Sequence, residues 1–372
     1  MCAAPQLPFG LPDPAGGNVD LLIVAGEHSG DEHAGRMLRD LLAKSSGLKV
    51  CALGGPRLAA AGAQLLRDLT ATSAMGFAVL AKISHYRALI AEVVRWVGDH
   101  RPRAVCFVDS SALNLRIAQG LFDQGFSAKA RGPTKVLYYI SPQIWASRAG
   151  RRFEMARHLD GLATIFPFEP ACYADTNLPV EFVGHPFVAP DYAAPVALDP
   201  AGPVLLLPGS RKQIVAGSGR PAVVLYPGQE ILRVLQGANP PANVALRQTG
   251  QTGGPVAASA VLTASGTMSM HCALAGIPGA LTYRTDPLTY LLGRMLVKVE
   301  FIGIANLMLK EPMYREFIQG AARPEALAGE LLLCLNDAGK REQTRAQAQQ
   351  LRSLLTQPAQ GTAADWVARQ LR

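Results

Sequence analysis

A chain of 372 residues, 49% apolar and 17% charged, is too long for one typical core and too apolar to be disordered. Lysine and arginine number 36 against 28 aspartates and glutamates, and the balance of +8 favours anionic partners such as phosphates or an anionic membrane surface. No run of five like charges, no aromatic-basic RNA-binding module and no stretch of 18 uninterrupted apolar residues occurs, so neither nucleic-acid binding nor a membrane span is expected.

Residues 1–18 are rich in Pro, Gly and Ala and lack a basic start followed by a long apolar run. They are expected to be a disordered extension and not a signal peptide. The six cysteines are scattered, without a C-x-x-C pair, and are expected to be reduced buried thiols of a cytosolic protein. Val19–Ala25 reads as a buried strand that runs into Gly26-Glu-His-Ser-Gly-Asp31 and then a helical pattern at Ala34, Met37, Leu38, Leu41 and Leu42. Strand, glycine-rich turn and helix open a βαβ unit. The glycines allow a tight turn and close approach of a ligand. Asp31 suits a helix start, where capping and ligand contact are both open. His28, Asp31 and His33 have no further clustered partners, so no metal site is expected.

A second strand, Lys49–Leu53, ends in Gly54-Gly55-Pro56. Ser73–Ile83 is apolar on nearly every side, with Lys82, His85 and Arg87 behind it. That pattern fits a core element, or an apolar mouth for acyl chains with cations for lipid phosphate. Ala104–Val108 is a third strand, followed by Asp109-Ser-Ser-Ala-Leu-Asn114. A carboxylate at the carboxyl end of a central strand stands where a catalytic base is placed, or it caps the following helix. Lys135–Ile140, Gly161–Phe166 and Val180–Val183 continue the series, with Arg151, Arg152, Arg157 and His158 on a helix between the first two. Apolar strands alternating with helices indicate a doubly wound parallel sheet over residues 19–188.

A Pro/Ala-rich linker, 189–203, precedes Val204-Leu-Leu-Leu-Pro-Gly-Ser-Arg211, a buried strand whose loop carries Ser210 and Arg211. Ala222–Tyr226, Asn243–Arg247, Ala260–Thr263 and Gly279–Tyr283 are further strands. Ser265-Gly266-Thr267 at a strand-to-helix junction makes an anion site, or ordinary capping residues. Leu291–Leu309 is apolar with embedded Arg294, Lys298 and Asn306. A second domain is thus expected over 204–345 and an amphipathic helical tail over 346–372. The fold class is α/β, with two Rossmann-like doubly wound parallel-sheet domains facing a central cleft, the GT-B architecture. Pattern alone equally allows a sugar-nucleotide epimerase or a periplasmic-type binding protein.

The chain resembles the lipid-A-disaccharide synthase family of inverting GT-B glycosyltransferases. The resemblance rests on motifs in order from about 19 to 320: Gly26–Asp31, Gly54–Pro56, Met75–Phe77, Asp109–Asn114, Ser141–Ala146, Pro167–Glu169, Phe182–Pro186, Leu207–Arg211, Ser265–Thr267, and Asn306 with Gln319. It implies transfer of diacylglucosamine from UDP-2,3-diacylglucosamine to 2,3-diacylglucosamine 1-phosphate (lipid X), with UDP as the other product. It further implies Asp109 as base. Glu27, Ser29, Gly30, Asp31, Met75, Gly76, Phe77 and Asn114 would hold the acceptor. Ser210, Arg211, Ser265, Gly266, Thr267, His271, Asn306 and Gln319 would hold the UDP-sugar. No Asp-x-Asp motif occurs, in keeping with metal-independent chemistry without a cofactor. Peripheral attachment to the cytoplasmic face of an anionic inner membrane is expected, and a homodimer is allowed.

Three departures bear on activity. Ala112 stands where some members carry a second carboxylate, and His271 where the family has a Glu expected to bond the ribose. Only residues 212–220 separate Arg211 from Pro221, too few for the usual crossover helix. The alternatives to an active enzyme are a degenerate homologue that binds UDP-sugar or lipid with little turnover, and another GT-B transferase such as the one that makes lipid II.

Overall fold

The computed structural model describes residues 10–70, 79–207, 221–226, 228–249, 253–285, 290 and 300–372, with backbone only for 79–85, 229 and 230. The chain divides into two units, one of residues 1–186 and 358–372, the other of 187–357.

In the first unit, described strands β1 (Leu21–Ala25), β2 (Val50–Gly54), β3 (Gln64–Asp68), β4 (Ala104–Val108), β5 (Lys135–Tyr139), β6 (Gly161–Thr164) and β7 (Val180–Phe182) form one parallel sheet. The order is β3-β2-β1-β4-β5-β6-β7. Leu22 of β1 faces Cys51 of β2 on one side and Val105 of β4 on the other. Every residue of β1, β2 and β4 is buried. Helices α1 (His28–Lys44), α2 (Pro56–Ala60), α3 (Val79–His100), α4 (Ser111–Asp123) and α5 (Arg151–His158) connect the strands. Crossover helices of this kind cover both sheet faces, so the strands read as continuous apolar runs without alternation. The edge strand β3 is mixed in composition and buries only Leu66, which is why its sequence does not announce it.

In the second unit, β8 (Val196–Leu198) pairs with β12 (Val256–Ala258). Strands β9 (Val204–Leu207), β10 (Ala222–Tyr226), β11 (Val244–Gln248), β13 (Ala260–Thr263), β14 (Gly279–Tyr283) and β15 (Arg315–Ile318) form a parallel sheet in the order β11-β10-β9-β13-β14-β15. Helices α6 (Gln229–Gly237), α7 (Thr267–Leu274), α8 (Ile304–Leu309), α9 (Pro324–Asn336) and α10 (Ala338–Leu355) complete it. The α/β doubly wound class is therefore as expected in both units.

Strand order places the crevices. In each sheet the winding reverses once, between β1 and β4 in the first unit and between β9 and β13 in the second. At such a switch point the connections leave to opposite faces and the carboxyl ends of the two strands frame a hollow. The loops there are Gly26–Ser29 and Asp109–Ser111 in the first unit. In the second, Ser265–Thr267 follows β13, while Ser210, Arg211 and the shortened 212–220 segment lie outside the described residues.

Two boundaries differ from expectation. Residues 10–18, expected to be disordered, are packed on the first unit. Leu11 is buried and its N–H donates to Glu92 Oε1 at 2.9 Å. Trp96 Nε1 donates to the Pro12 carbonyl at 3.0 Å, and Gln64 Nε2 to that of Asp13 at 2.9 Å. Side-chain partners, not regular structure, satisfy this Pro-rich backbone. The expected 346–372 tail is also no single element. Helix α10 runs unbroken through 345, and the last helix, α11 (Ala363–Gln370), belongs to the first unit. Its Trp366 is fully buried, and a Cβ on Gly161 of β6 would lie 3.2 Å from that ring. Lys44 of α1 donates to Asp365 at 2.6 Å, and Lys135 to the Gln370 carbonyl at 2.7 Å.

Candidate active site

The crevice of the first unit is a cavity of about 610 Å³ lined by Gly26–Ser29, Tyr86 and Asp109–Leu113. Its floor has unusual backbone geometry. Asp109 and Ser110 both have left-handed φ values, 52° and 42°. Neither is glycine, and each such residue costs about 1–3 kcal/mol unless its surroundings hold it. Here they do. The Asp109 carbonyl accepts from Asn114 Nδ2 at 2.8 Å and from Tyr138 Oη, while its N–H donates to the Tyr139 carbonyl at 3.1 Å. The backbone turned in this way lets the carboxyl line the hollow at the end of β4.

The Asp109 carboxyl is raised above the ordinary aspartate range by burial, offset in part by hydrogen bonds from the Ser110 backbone and from Ser29. Ser29 Oγ donates to Asp109 Oδ2 at 3.3 Å. Glu27, from the loop after β1, is the other carboxyl of the cavity. It too is raised, first by partial burial and then by the Asp109 charge. Two carboxyls that resist ionisation in one hollow hold a proton more readily than carboxyls in water do. Ala112 lines the cavity without a charge, so its carboxyls come from Asp109 and from Glu27 after the adjacent strand β1.

Other expected acceptor residues have different tasks. Asp31 is 1% exposed, and its two oxygens are taken by the start of α2. Oδ1 accepts from Gly55 N at 2.8 Å and Leu58 N at 3.1 Å, and Oδ2 from Arg57 N at 2.9 Å. Of the two roles open to Asp31, these bonds are those of a cap, on a neighbouring helix. Gly30 is buried where α1 passes the end of β4, and a Cβ there would stand 3.3 Å from the Val108 carbonyl. It serves packing and does not line the cavity. Asn114 is fully buried, and its amide braces the Val108 and Asp109 carbonyls, so it holds the backbone that carries Asp109. Met75, Gly76 and Phe77 lie outside the described residues.

Glu169 ties the loop after β6 to the loop after β5. Its Oε2 accepts from Phe166 N at 3.0 Å and Ile165 N at 3.2 Å, and its Oε1 from Trp145 Nε1 at 3.3 Å. Burial pushes its carboxyl from the ordinary 4.5 up to about 7. The folded state then binds this proton more tightly than the unfolded state, so the group costs stability as pH rises from about 4.5 to about 7. Denaturant unfolding across that window is expected to show the loss in the wild type and a flatter curve in Glu169→Gln. Parallel curves would rule out Glu169 as its source.

In the second unit, α7 begins at Gly266, whose φ of 151° favours glycine and whose turn carries no side-chain cap. Ser265 Oγ donates to the Ile302 carbonyl at 2.9 Å, so its proton is spent, while Thr267 is exposed. What the loop offers an anion is the set of first-turn N–H groups and the Thr267 hydroxyl. His271 is buried, with Nε2 3.2 Å from Tyr192 Oη and its ring 4.0 Å from that of Phe187. It is held in an aromatic stack, a role its position in the motif does not suggest. Asn306 is 1% exposed, bonded to Tyr314 N at 3.0 Å and O at 2.7 Å and to Glu316 Oε1 at 2.9 Å. Gln319 pairs both ways with the Thr285 backbone, at 2.9 and 3.0 Å. The side chains of Asn306 and Gln319, expected at the nucleotide, are thus bonded within the protein. Tyr138, which sequence reasoning passes over, gave no signal beyond a hydroxyl in an apolar strand. Among the described residues no helix is long and apolar enough to cross a membrane, and no cluster of three or more His, Cys, Asp or Glu could hold a metal.

Comparison with known proteins adds a family. The model described as lipid-A-disaccharide synthetase matches residues 21–218 and 223–370. The lipid-A-disaccharide synthase of Geobacter metallireducens is 32% identical over 357 residues, 88% of this chain and 91% of the relative. That of Anaeromyxobacter dehalogenans is 33% identical over 368 residues, 91% and 94% respectively. Among solved structures, a putative UDP-N-acetylglucosamine 2-epimerase from Listeria monocytogenes aligns at TM-score 0.60 with 11% identity, over 95% of this chain and 96% of that one. The calicheamicin glycosyltransferase aligns at 0.54 with 15% identity, over 95% and 98%. At these identities the likeness is one of fold, the GT-B type.

Proposed function

The chain belongs to the lipid-A-disaccharide synthetase family, and on that premise we propose that it joins two acylated glucosamines through an inverting, metal-independent displacement. The donor in this reading is UDP-2,3-diacylglucosamine and the acceptor 2,3-diacylglucosamine 1-phosphate. The observation that carries it is the Asp109 carboxyl, raised by burial and lining the cavity at the β1/β4 switch point.

Asp109 takes the proton from the acceptor's 6-hydroxyl. The freed oxygen pair forms a bond to C1 of the donor, and the C1–oxygen bond to the diphosphate breaks with its electrons leaving on UDP. A single displacement converts the α-linked donor to a β-1,6 linkage. Ser29 orients the base through its hydrogen bond, and burial makes the Asp109 carboxyl readier to accept a proton. Charge that grows on the diphosphate is met by the first-turn N–H groups of α7 at Ser265–Thr267. Ser210 and Arg211 for the diphosphate, and Met75–Phe77 for acyl chains, enter this reading from the family resemblance alone. The excess of 36 basic over 28 acidic residues supports peripheral attachment to the cytoplasmic face of an anionic inner membrane.

The test is UDP release on incubation with both acylated substrates. Release that requires the acceptor supports transfer. Nucleotide binding without release in the full mixture would replace the enzyme by a binding homologue. Ser29→Ala removes a hydrogen bond that favours the charged form of Asp109. The acid limb of the pH–rate profile is therefore expected to move to higher pH, with the alkaline side unchanged. An unmoved or downward-shifted limb would detach Ser29 from the base.

A further inference from the structure

The arginines around α5 are not equivalent. Arg148 is exposed on the preceding loop. Arg152 is neutralised by Asp175, with its Nε 2.7 and 3.0 Å from the two carboxylate oxygens and its Nη2 2.6 Å from Oδ2. Arg157 lies over the Phe122 ring at 5.2 Å. Arg151 differs. It is half-buried, no carboxylate among the described residues forms an ion pair with it, and its Nη1 donates to Ser111 Oγ at 3.3 Å. Ser111 is a wall residue of the Asp109 cavity.

A half-buried guanidinium bonded to a cavity-wall hydroxyl from behind is costly to leave without an anionic partner. Its planar fork suits the paired oxygens of a phosphate. Ser111 accepts from Arg151, so its own proton remains to be donated to a second anion oxygen. Helix α4 begins at Ser111 without a side-chain cap, which leaves its dipole facing the same wall. Ser111 is two residues from Asp109, less than about 8 Å at the Cα atoms. A hexose ring spans a comparable distance from its 6-oxygen to a substituent on its anomeric carbon. The carboxyls of Asp109 and Glu27 would repel a phosphate placed beside them, so the anion belongs at the Ser111 end.

We infer that Arg151 and Ser111 form the subsite that takes the anomeric phosphate of the sugar acceptor, fixing which end of the sugar meets Asp109. This rests on the glycosyl-transfer reading and adds to it the residues that distinguish a 1-phosphorylated acceptor from a neutral one.

The experiment measures initial rates of UDP release with the full chain against two acceptors, diacylglucosamine 1-phosphate and the same sugar without its phosphate. Arg151→Ala is expected to raise KM for the phosphorylated acceptor about 10- to 100-fold, the effect of one or two charge-assisted bonds, with kcat changed far less. Rates with the dephosphorylated acceptor should stay unchanged. Arg151→Lys should recover part of the loss, and Ser111→Ala should show a smaller loss of the same kind. Equal losses on both acceptors, or none on either, would overturn the subsite. If Arg151→Ala does not fold, Ser111→Ala and Arg151→Lys carry the same comparison. A wild type that releases no UDP refutes transfer instead. The subsite is then read by titrating diacylglucosamine 1-phosphate into wild type and Arg151→Lys, where equal affinity refutes it.

Discussion

Asp109→Asn is expected to lower kcat by about 10²–10⁴-fold while leaving UDP binding and the fold in place. The substitution is nearly isosteric and removes only the ability to take a proton. The left-handed turn at 109–110 should survive, because the backbone of Asp109 is held by Asn114, Tyr138 and Tyr139 and the amide oxygen of Asn can still accept from the Ser110 N–H. A structural explanation of lost activity is therefore separable from a chemical one. Thermal unfolding of the variant should match the wild type, and the acid limb of its residual pH–rate profile should be lost, since the group that titrates there is gone. Burial places that limb above the ordinary aspartate range: activity falls as pH drops through the raised pKa and the base is protonated. UDP release at near wild-type rate would remove Asp109 as base. Glu27 is then the next carboxyl to test, because it lines the same cavity and is raised by the same burial.

Asp31→Ala is expected to act on stability rather than on chemistry, by about 2–6 kcal/mol. The deletion orphans the buried N–H groups of Gly55 and Leu58, each worth about 1–3 kcal/mol when left without an acceptor. It also removes a charge that meets the positive end of α2. Asp31→Asn should lose less. Its amide keeps one oxygen for Gly55 and Leu58 but turns a donor toward Arg57 N. Denaturant unfolding gives the stability, and kcat/KM per folded molecule gives the chemistry. A stable Asp31→Ala protein with a large rise in acceptor KM would restore the ligand contact that its position in the glycine-rich loop suggests.

The two predictions separate neighbouring residues of one resemblance. Asp31 and Asp109 each follow a buried strand and precede or begin a helix, and both suit a cap as well as a catalytic group. The fold divides the roles through distance. Asp31 reaches residues 55–58 of the adjacent connection, whereas the left-handed turn at Asp109 aims its carboxyl into the hollow. The same holds in the second unit. Asn306 and Gln319 match the family motifs, yet their amides are used on the backbones of Tyr314 and Thr285. Residues of this kind hold the loops in which they stand.

The amino-acid sequence by itself determined the class of fold and the places where the chain turns. The strands of both sheets are read as apolar runs, because a parallel strand covered on both faces must be apolar at every position. Glycines and prolines mark their ends, because backbone torsions there are set locally. Edge strands such as β3 and β15 escaped because they bury little, and the return of α11 to the first unit escaped because an amphipathic helix does not state its partner. Tertiary structure alone decided what each polar motif residue does. A carboxylate or amide in a loop has the same sequence signature whether its partner is a ligand or a backbone 25 residues away, as with Asp31 and its neighbours across |i−j| of 24 to 27. Only the folded distance distinguishes the two, because a hydrogen bond is fixed by proximity in space and carries no trace in the local pattern.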